Sequence, residues 1–428
     1  MKDLKSVSVQ VIDSDIALLF PNGGLYEIKQ MEPRSSKLKS VVIFCCFLAL
    51  SGIVGFGYFC QDRVCALRSR EFIPAVLNDG MGKPVRNLNS KTGLSYDDML
   101  NDDFSFDMDS HDVMVFLHMQ KTGGTSFGRH LVHDLDLQRP CTCPLTRKRC
   151  YCFRPHSNQS WLFSRYTTGW KCGLHADWTE LTNCVDEKLD ELEGFIAKRR
   201  YFYITLLREP VSRYLSEFRH VQRGATWKGA RHYCKGRNAT KKEVAPCFAT
   251  DTWEDVGLDE FMACDSNLAA NRQTRMLADL ELVGCYDKSY MPEAERDRVM
   301  LASAKRNLQS MAFFGLTEHQ KISQYIFEET FNLRFGVPFE QNNATISSNT
   351  MPTLTAAQAT KIARLNALDI ELYEFAKVLL FRRFQKLKSR DVNFRTRFEH
   401  LGELPNRGTE FDWDKLETDA TSNNSQSS

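Results

Sequence analysis

Five apolar residues, Val113-Met114-Val115-Phe116-Leu117, run through His118-Met119-Gln120 into Lys121-Thr122-Gly123-Gly124-Thr125-Ser126. Phe127, Leu131 and Val132 then continue at helical spacing. This order predicts a buried strand, a tight loop and a helix start. The loop offers the backbone N–H groups of residues 122–125, the positive end of a helix dipole and one ammonium, which together suit a phosphate-like anion. It is not a Walker A loop, because there the glycines precede the lysine. No obvious apolar strand ending in a magnesium-binding aspartate follows either, so the order suits a phosphate held without a metal. The plain structural reading is a β–α turn with Gly124 serving close packing.

Two more buried-strand patterns follow at residues 201–207 (YFYITLL) and 311–316 (MAFFGL). The first runs into Arg208-Glu209-Pro210, with Pro210 placed for the first turn of a helix. In that helix Val211, Tyr214, Leu215, Phe218 and Val221 form an apolar stripe, and Arg213, Ser216 or Glu217, and His220 lie opposite. Residues 261–280, 293–308, 318–331 and 354–386 read as helices. Strands alternating with helices predict an α/β fold with a central parallel sheet. The expected layout is a tail at 1–40, a membrane anchor at 41–60, a polar stem at 61–110, a folded domain at 111–388 with a Cys- and Arg-rich insertion at 138–185, and a disordered polar tail at 389–428.

The 428-residue chain carries a net charge of only +2, but its charges are sorted. No Asp or Glu occurs at 137–176, which holds Arg139, Arg147, Lys148, Arg149, Arg154, Arg165 and Lys171. Residues 218–242 are equally free of acids and carry Arg219, Arg223, Lys228, Arg231, Lys235 and Arg237. With Trp161, Trp170 and Trp227 interleaved, these blocks predict one positive face for a polyanion, a glycan or a nucleic acid.

The uncharged run 41–60 is long enough to span a bilayer as a helix, and polar residues precede it. The sequons at Asn158, Asn238, Asn343 and Asn423 all follow it, as do ten cysteines between Cys141 and Cys285. Both features fit an oxidising lumen and a single-pass type II orientation. The CxC pairs Cys141/Cys143 and Cys150/Cys152 resemble a zinc knuckle in composition but lack a correctly spaced histidine. Disulfides are the expected state, with pairing open among Cys141, Cys143, Cys150, Cys152, Cys172, Cys184, Cys234, Cys247, Cys264 and Cys285.

Several longer runs, HMQKTGGTSFGRHLV (118–132), WLFSR with TGWKCGLHADWTELTNC (161–184), YITLLREPVSRYLSEFRHVQRGATWK (203–228), NRQTRMLADLELVGCY (271–286) and SAKRNLQSMAFFGLTE (303–318), closely resemble heparan sulfate 6-O-sulfotransferases over about residues 113–385. The resemblance implies a P-loop-like sulfotransferase fold on a Golgi type II membrane protein. It also implies transfer of a sulfuryl group from PAPS (3′-phosphoadenosine 5′-phosphosulfate), without a metal, to the 6-hydroxyl of glucosamine in heparan sulfate, with no nucleic-acid partner. Donor contacts then fall on His118, Met119, Gln120, Lys121, Thr122, Gly123, Gly124, Thr125 and Ser126. Arg208 and Ser216 would take the 3′-phosphate, and Glu340, Gln341, Asn342, Ile346 and Ser347 form a third donor segment. That segment departs from the family, which usually has an arginine after its Asn-x-Thr sequon. Implied acceptor contacts are Lys148, Arg149, Arg165, Trp170, His220 and Trp227, with His175 as general base. Composition alone does not separate His175 from His118, His130, His156 or His220. Three other readings compete: a sulfotransferase for another glycan or position, a glycan-binding pseudoenzyme, and a nucleotide kinase, which the glycine order disfavours.

Overall fold

The computed structural model describes residues 11–12, 15–16, 105–144, 149–225, 229–247, 253–339 and 354–403. Contacts divide the chain into two units, 1–83 and 84–428. In the first, strands β1 (Val11–Ile12) and β2 (Asp15–Ile16) pair antiparallel. The expected membrane anchor at 41–60 lies outside the described residues. Among those described, no helix is long and apolar enough to cross a membrane.

The second unit is built on a four-stranded sheet in the order β4-β3-β5-β8, parallel throughout. Strand β3 (Asp112–Leu117) and strand β5 (Arg200–Leu207) are its centre, β4 (Leu162–Phe163) and β8 (Phe313–Leu316) its edges. Nearly every residue of β3 and β5 is buried, as parallel strands covered on both faces require. Their N-terminal ends are locked by a two-pronged ion pair in which Arg200 Nε and Nη2 each lie 2.6 Å from an Asp112 oxygen. The folded part begins earlier than 111, since Phe106 packs edge-on against Phe202 and Phe331.

The helices follow the connections. Helix α1 (Gly124–His133) leaves β3, α2 (Trp178–Glu193) joins β4 to β5, and α3 (Pro210–Val221) leaves β5. A short hairpin, β6 (Tyr233–Cys234) with β7 (Arg237–Asn238), comes next. The expected helix at 261–280 is instead α4 (Leu258–Ala263) and α5 (Arg272–Leu277), followed by a 3₁₀ turn at Leu280–Val283. Asn271 at φ 46 and the Cys247–Cys264 disulfide break its continuity. Helix α6 (Glu293–Ser310) precedes β8 and α7 (Gln320–Phe331) follows it. Residues 354–386 form not one helix but α8 (Ala356–Leu365) and α9 (Ala367–Arg390), parted at Asn366, whose side chain bonds the Ile362 carbonyl.

Two further expectations change. The stretch 138–185 is not an insertion outside the sheet, because it supplies edge strand β4, too short to show a period in sequence. The C-terminal tail is structured at its start, where α10 (Phe394–Glu399) packs Phe394 and Phe398 edge-on to Tyr325.

Among the described residues five disulfides join Cys141–Cys152, Cys143–Cys150, Cys172–Cys184, Cys234–Cys285 and Cys247–Cys264. The one cluster of metal-type ligands among the described residues, His133 with Cys143 and Cys150, has its sulfurs bonded to each other.

Candidate active site

In the order β4-β3-β5-β8 the chain leaves β3 to one side and β5 to the other, so the carboxyl ends of these two strands flank the switch point where open α/β sheets bind ligands. Residues 118–124 leave β3 there and Arg208 leaves β5. The Arg208 guanidinium donates to the Lys121 carbonyl at 3.3 Å. Thr317, just beyond β8, ties the same corner together: its hydroxyl lies 2.8 Å from the Thr122 carbonyl and 3.0 Å from that of Leu207. Thr122 in turn donates to the Met119 carbonyl.

The loop geometry follows from its residue types. Gly123, at φ 81, is the N-cap of α1 and makes no side-chain cap, so the first-turn N–H groups are left to other acceptors. Gly124 has no room for a side chain, because a Cβ there would meet His118 Cδ2 at 2.3 Å. Gly124 therefore serves close packing at the turn from β3 into α1. Thr125 is exposed and Ser126 partly so, whereas Met119 and Gln120 are buried and offer the loop's ligand only backbone.

Three cations converge on this corner. Burial lowers the pKa of Lys121, and the nearby Arg223 and Arg208 lower it further while Glu217 opposes them. Holding like charges together costs energy that an anion between them would return. Arg208 is fixed at its backbone by Gln273, whose amide accepts from the Arg208 N–H and donates to its carbonyl, both at 2.9 Å. Glu209, not Arg208, caps α3 by accepting from the Val211 and Ser212 N–H groups. Ser216 sits two turns into α3, buried.

The face of α3 opposite the apolar stripe is not solvated. Glu217 accepts from Arg213 at 2.5 Å and from Arg272 Nε at 2.8 Å, with all three side chains buried. Burial alone would raise the Glu217 pKa, but the two guanidiniums outweigh it and hold it at about 2.

His175 lies beside the start of the Lys121 loop, in a segment of positive φ (Gly173 at 130, His175 at 54). Lys121 is also in the left-handed region, at φ 66; such conformations in non-glycine residues concentrate at functional sites. His175 Nδ1 lies 3.0 Å from the His118 carbonyl. A carbonyl only accepts, so Nδ1 carries the proton and Nε2 presents a lone pair. Burial lowers the His175 pKa to about 4; the His118 carbonyl opposes this, while Arg272 and Arg165 add to it. The segment is tethered to α2 by Cys172–Cys184, and Asp177 and Glu180 form a capping box that starts the helix.

Trp170 packs against both histidines, 4.7 Å from His175 and 6.1 Å from His118 between ring centroids, and Arg165 stacks on it at 5.1 Å. Trp170 remains 39% exposed, so it is a wall and not core. Arg149 passes beside Gly169. His220 faces Lys121 and Arg223 from α3; burial first, then those charges, lower its pKa to about 4.

The structure thus gathers His118, Lys121, Thr122, Gly123, Gly124, Arg208, Arg165, Trp170, His175 and His220 around one corner. Lys148, Trp227, Glu340, Gln341, Asn342, Ile346 and Ser347 lie outside the described residues, as do Asn343 and Asn423. Asn158 and Asn238 are exposed. The basic blocks are only partly a ligand face. Arg154 is buried and donates to the Asp112 carbonyl, Arg139 holds the carbonyls of Arg154 and Ser157, and Arg237 pairs with Glu243. Sequence reasoning missed Thr317, Gln273 and the Glu217–Arg272 pair, although all four stand in the runs that carry the resemblance.

Residues 104–376 match the sulfotransferase family, a family of group-transfer enzymes. The chain is 55% identical over 292 residues to heparan-sulfate 6-O-sulfotransferase 3-B of Danio rerio, covering 68% of this chain and 69% of that one. It is 47% identical over 368 residues to heparan-sulfate 6-O-sulfotransferase 2 of Gallus gallus, covering 84% and 90%. Heparan-sulfate 6-O-sulfotransferase 1 of Homo sapiens matches at 55% over 282 residues, covering 65% and 68%. The chain belongs to the heparan-sulfate 6-O-sulfotransferase family and is a sulfotransferase.

Proposed function

We propose that this enzyme moves a sulfuryl group from PAPS to the 6-hydroxyl of glucosamine residues in heparan sulfate. The observation that carries the reading is the hydrogen bond between His175 Nδ1 and the His118 carbonyl, which makes Nε2 the basic nitrogen of a ring tied to the start of the Lys121 loop. In-line displacement needs little covalent chemistry from a protein, so positioning and charge stabilisation dominate. His175 Nε2 takes the proton of the acceptor hydroxyl as its oxygen bonds to sulfur. The bond between sulfur and the leaving phosphate oxygen breaks, and that oxygen keeps the electron pair. Lys121 and the N–H groups at the start of α1 stabilise the charge growing there. Arg208 and Ser216 hold the 3′-phosphate, while Arg149, Arg165, Trp170 and His220 line the acceptor side.

The same reading places the enzyme in the Golgi membrane as a single-pass type II protein with its catalytic domain lumenal. Five disulfides, the apolar run 41–60 and exposed sequon asparagines support that placement. A test is transfer by the full chain in chelator: activity that collapses without divalent metal contradicts the metal-free cradle, and undiminished activity supports it.

A further inference from the structure

A cavity of about 520 Å³ opens between α3, the β6–β7 hairpin and the turn joining α4 to α5. Its size falls in the range of ligand sites, about 300–1,000 Å³. Gln120 lines it, one residue before Lys121, and so do Glu217 and Val221 on the helix that carries Ser216 and His220. The residue just before Lys121 therefore turns its side chain into this cavity.

Two features point to an occupant. Gln120 is only 5% exposed, yet its Oε1 has no hydrogen-bond partner among the described residues. A buried amide oxygen left so costs about 1–3 kcal/mol unless something donates to it. The wall is also positive. Glu217 is the one acid lining the cavity among the described residues, and it faces two guanidiniums, so that buried group keeps a net charge of +1. Arg231 and Lys241, both exposed, add cations at the mouth. Val221, Val244 and Leu268 supply apolar surface of the kind that covers the C–H face of a sugar ring.

We propose that this cavity is a second acceptor subsite, taking an anionic sugar residue several positions along the glycan from the one being modified, beyond the reach of a trisaccharide. A hydroxyl or amide N–H of that residue donates to Gln120, and its sulfate or carboxylate pairs with Arg231 and Lys241. This rests on the proposed function, because it requires a charged glycan as acceptor.

The test compares the full chain with an Arg231→Ala/Lys241→Ala variant on two heparan-type acceptors, a trisaccharide and an octasaccharide, with labelled PAPS. The subsite predicts that KM for the octasaccharide rises about tenfold, while kcat and KM for the trisaccharide stay unchanged. An unchanged octasaccharide KM, or an equal rise for both lengths, overturns it. A merely structural role would instead lower kcat and thermal stability with both acceptors. Failure of the wild-type chain to sulfate either acceptor would sink the proposed function. Octasaccharide binding by the two proteins then judges the cavity separately: weaker binding by the variant supports the site, and equal binding overturns it.

Discussion

His175 Nδ1 lies 3.0 Å from the carbonyl oxygen of His118, so the candidate base is bonded to the strand end that leads into Lys121. In the proposed mechanism the base and the leaving-group lysine thus share one backbone support. His175→Ala should lower transfer by about 10²–10⁴-fold with the circular dichroism spectrum intact. Retention of near-normal activity would remove His175 from the mechanism.

Burial of the His175 ring sets a pH dependence. Burial, aided by Arg272 and Arg165, holds the folded pKa of His175 at about 4 against 6.5 for a free histidine. A lowered pKa means that the ring stays neutral, and so basic, as pH falls through 6.5. The kcat/KM profile, which reports the free enzyme, should therefore show no acidic limb near 6.5 and should fall only toward pH 4. A tenfold loss per pH unit starting near 6.5 would contradict this.

Gly124→Ala should damage activity out of proportion to its size. The added Cβ would stand 2.3 Å from the His118 ring, which must move, and the carbonyl that orients His175 would move with it. The expected loss is in kcat, by about tenfold or more, as positioning errors near 1 Å produce. An unchanged kcat would show that His118 does not orient the base.

Thr317→Val removes the hydroxyl that joins the Thr122 and Leu207 carbonyls, at a cost of about 1–3 kcal/mol for the orphaned partners. Donor affinity should fall, measured by titration with the product nucleotide, and Thr317→Ser should restore it. Unaltered affinity in Thr317→Val would exclude this link from loop positioning.

Glu217→Gln leaves Arg213 and Arg272 buried against a neutral group and should destabilise the fold by about 3–5 kcal/mol in urea unfolding. Because the Glu217 pKa is depressed to about 2 in the fold, its contribution is present above pH 4.5 and lost as pH falls toward 2. A variant equal to wild type at neutral pH, or losing stability with the same slope below pH 4.5, would contradict the assignment.

Much of the centre was legible in sequence. Residues 113–117, 201–207 and 311–316 are apolar runs, and β3, β5 and β8 lie in or along them, while Lys121 with Gly123 and Gly124 marked the turn from β3 into α1. What sequence hid was long-range and polar. Nothing local shows that Arg213 and Glu217 turn inward, since Arg272 arrives from more than fifty residues away. Strand β4 has two residues and no detectable period, and Asn271 and Asn366 break their helices where they meet, the Asn271 N–H donating to Asn366 Oδ1 and Asn271 Oδ1 accepting from the Asp369 N–H of α9. Disulfide pairing was open for the same reason: ten cysteines have many pairings, and only the fold brings Cys172 beside Cys184 to hold the His175 segment. His175 itself needed the resemblance, because its distinguishing feature is a bond to a carbonyl 57 positions away in sequence.

The most direct test of the account is disaccharide analysis of heparan sulfate after incubation with the full chain and PAPS carrying labelled sulfate. The account predicts label on the 6-hydroxyl of glucosamine, absent with Lys121→Ala. Label at another position or on another glycan alone, or none at all, would contradict it.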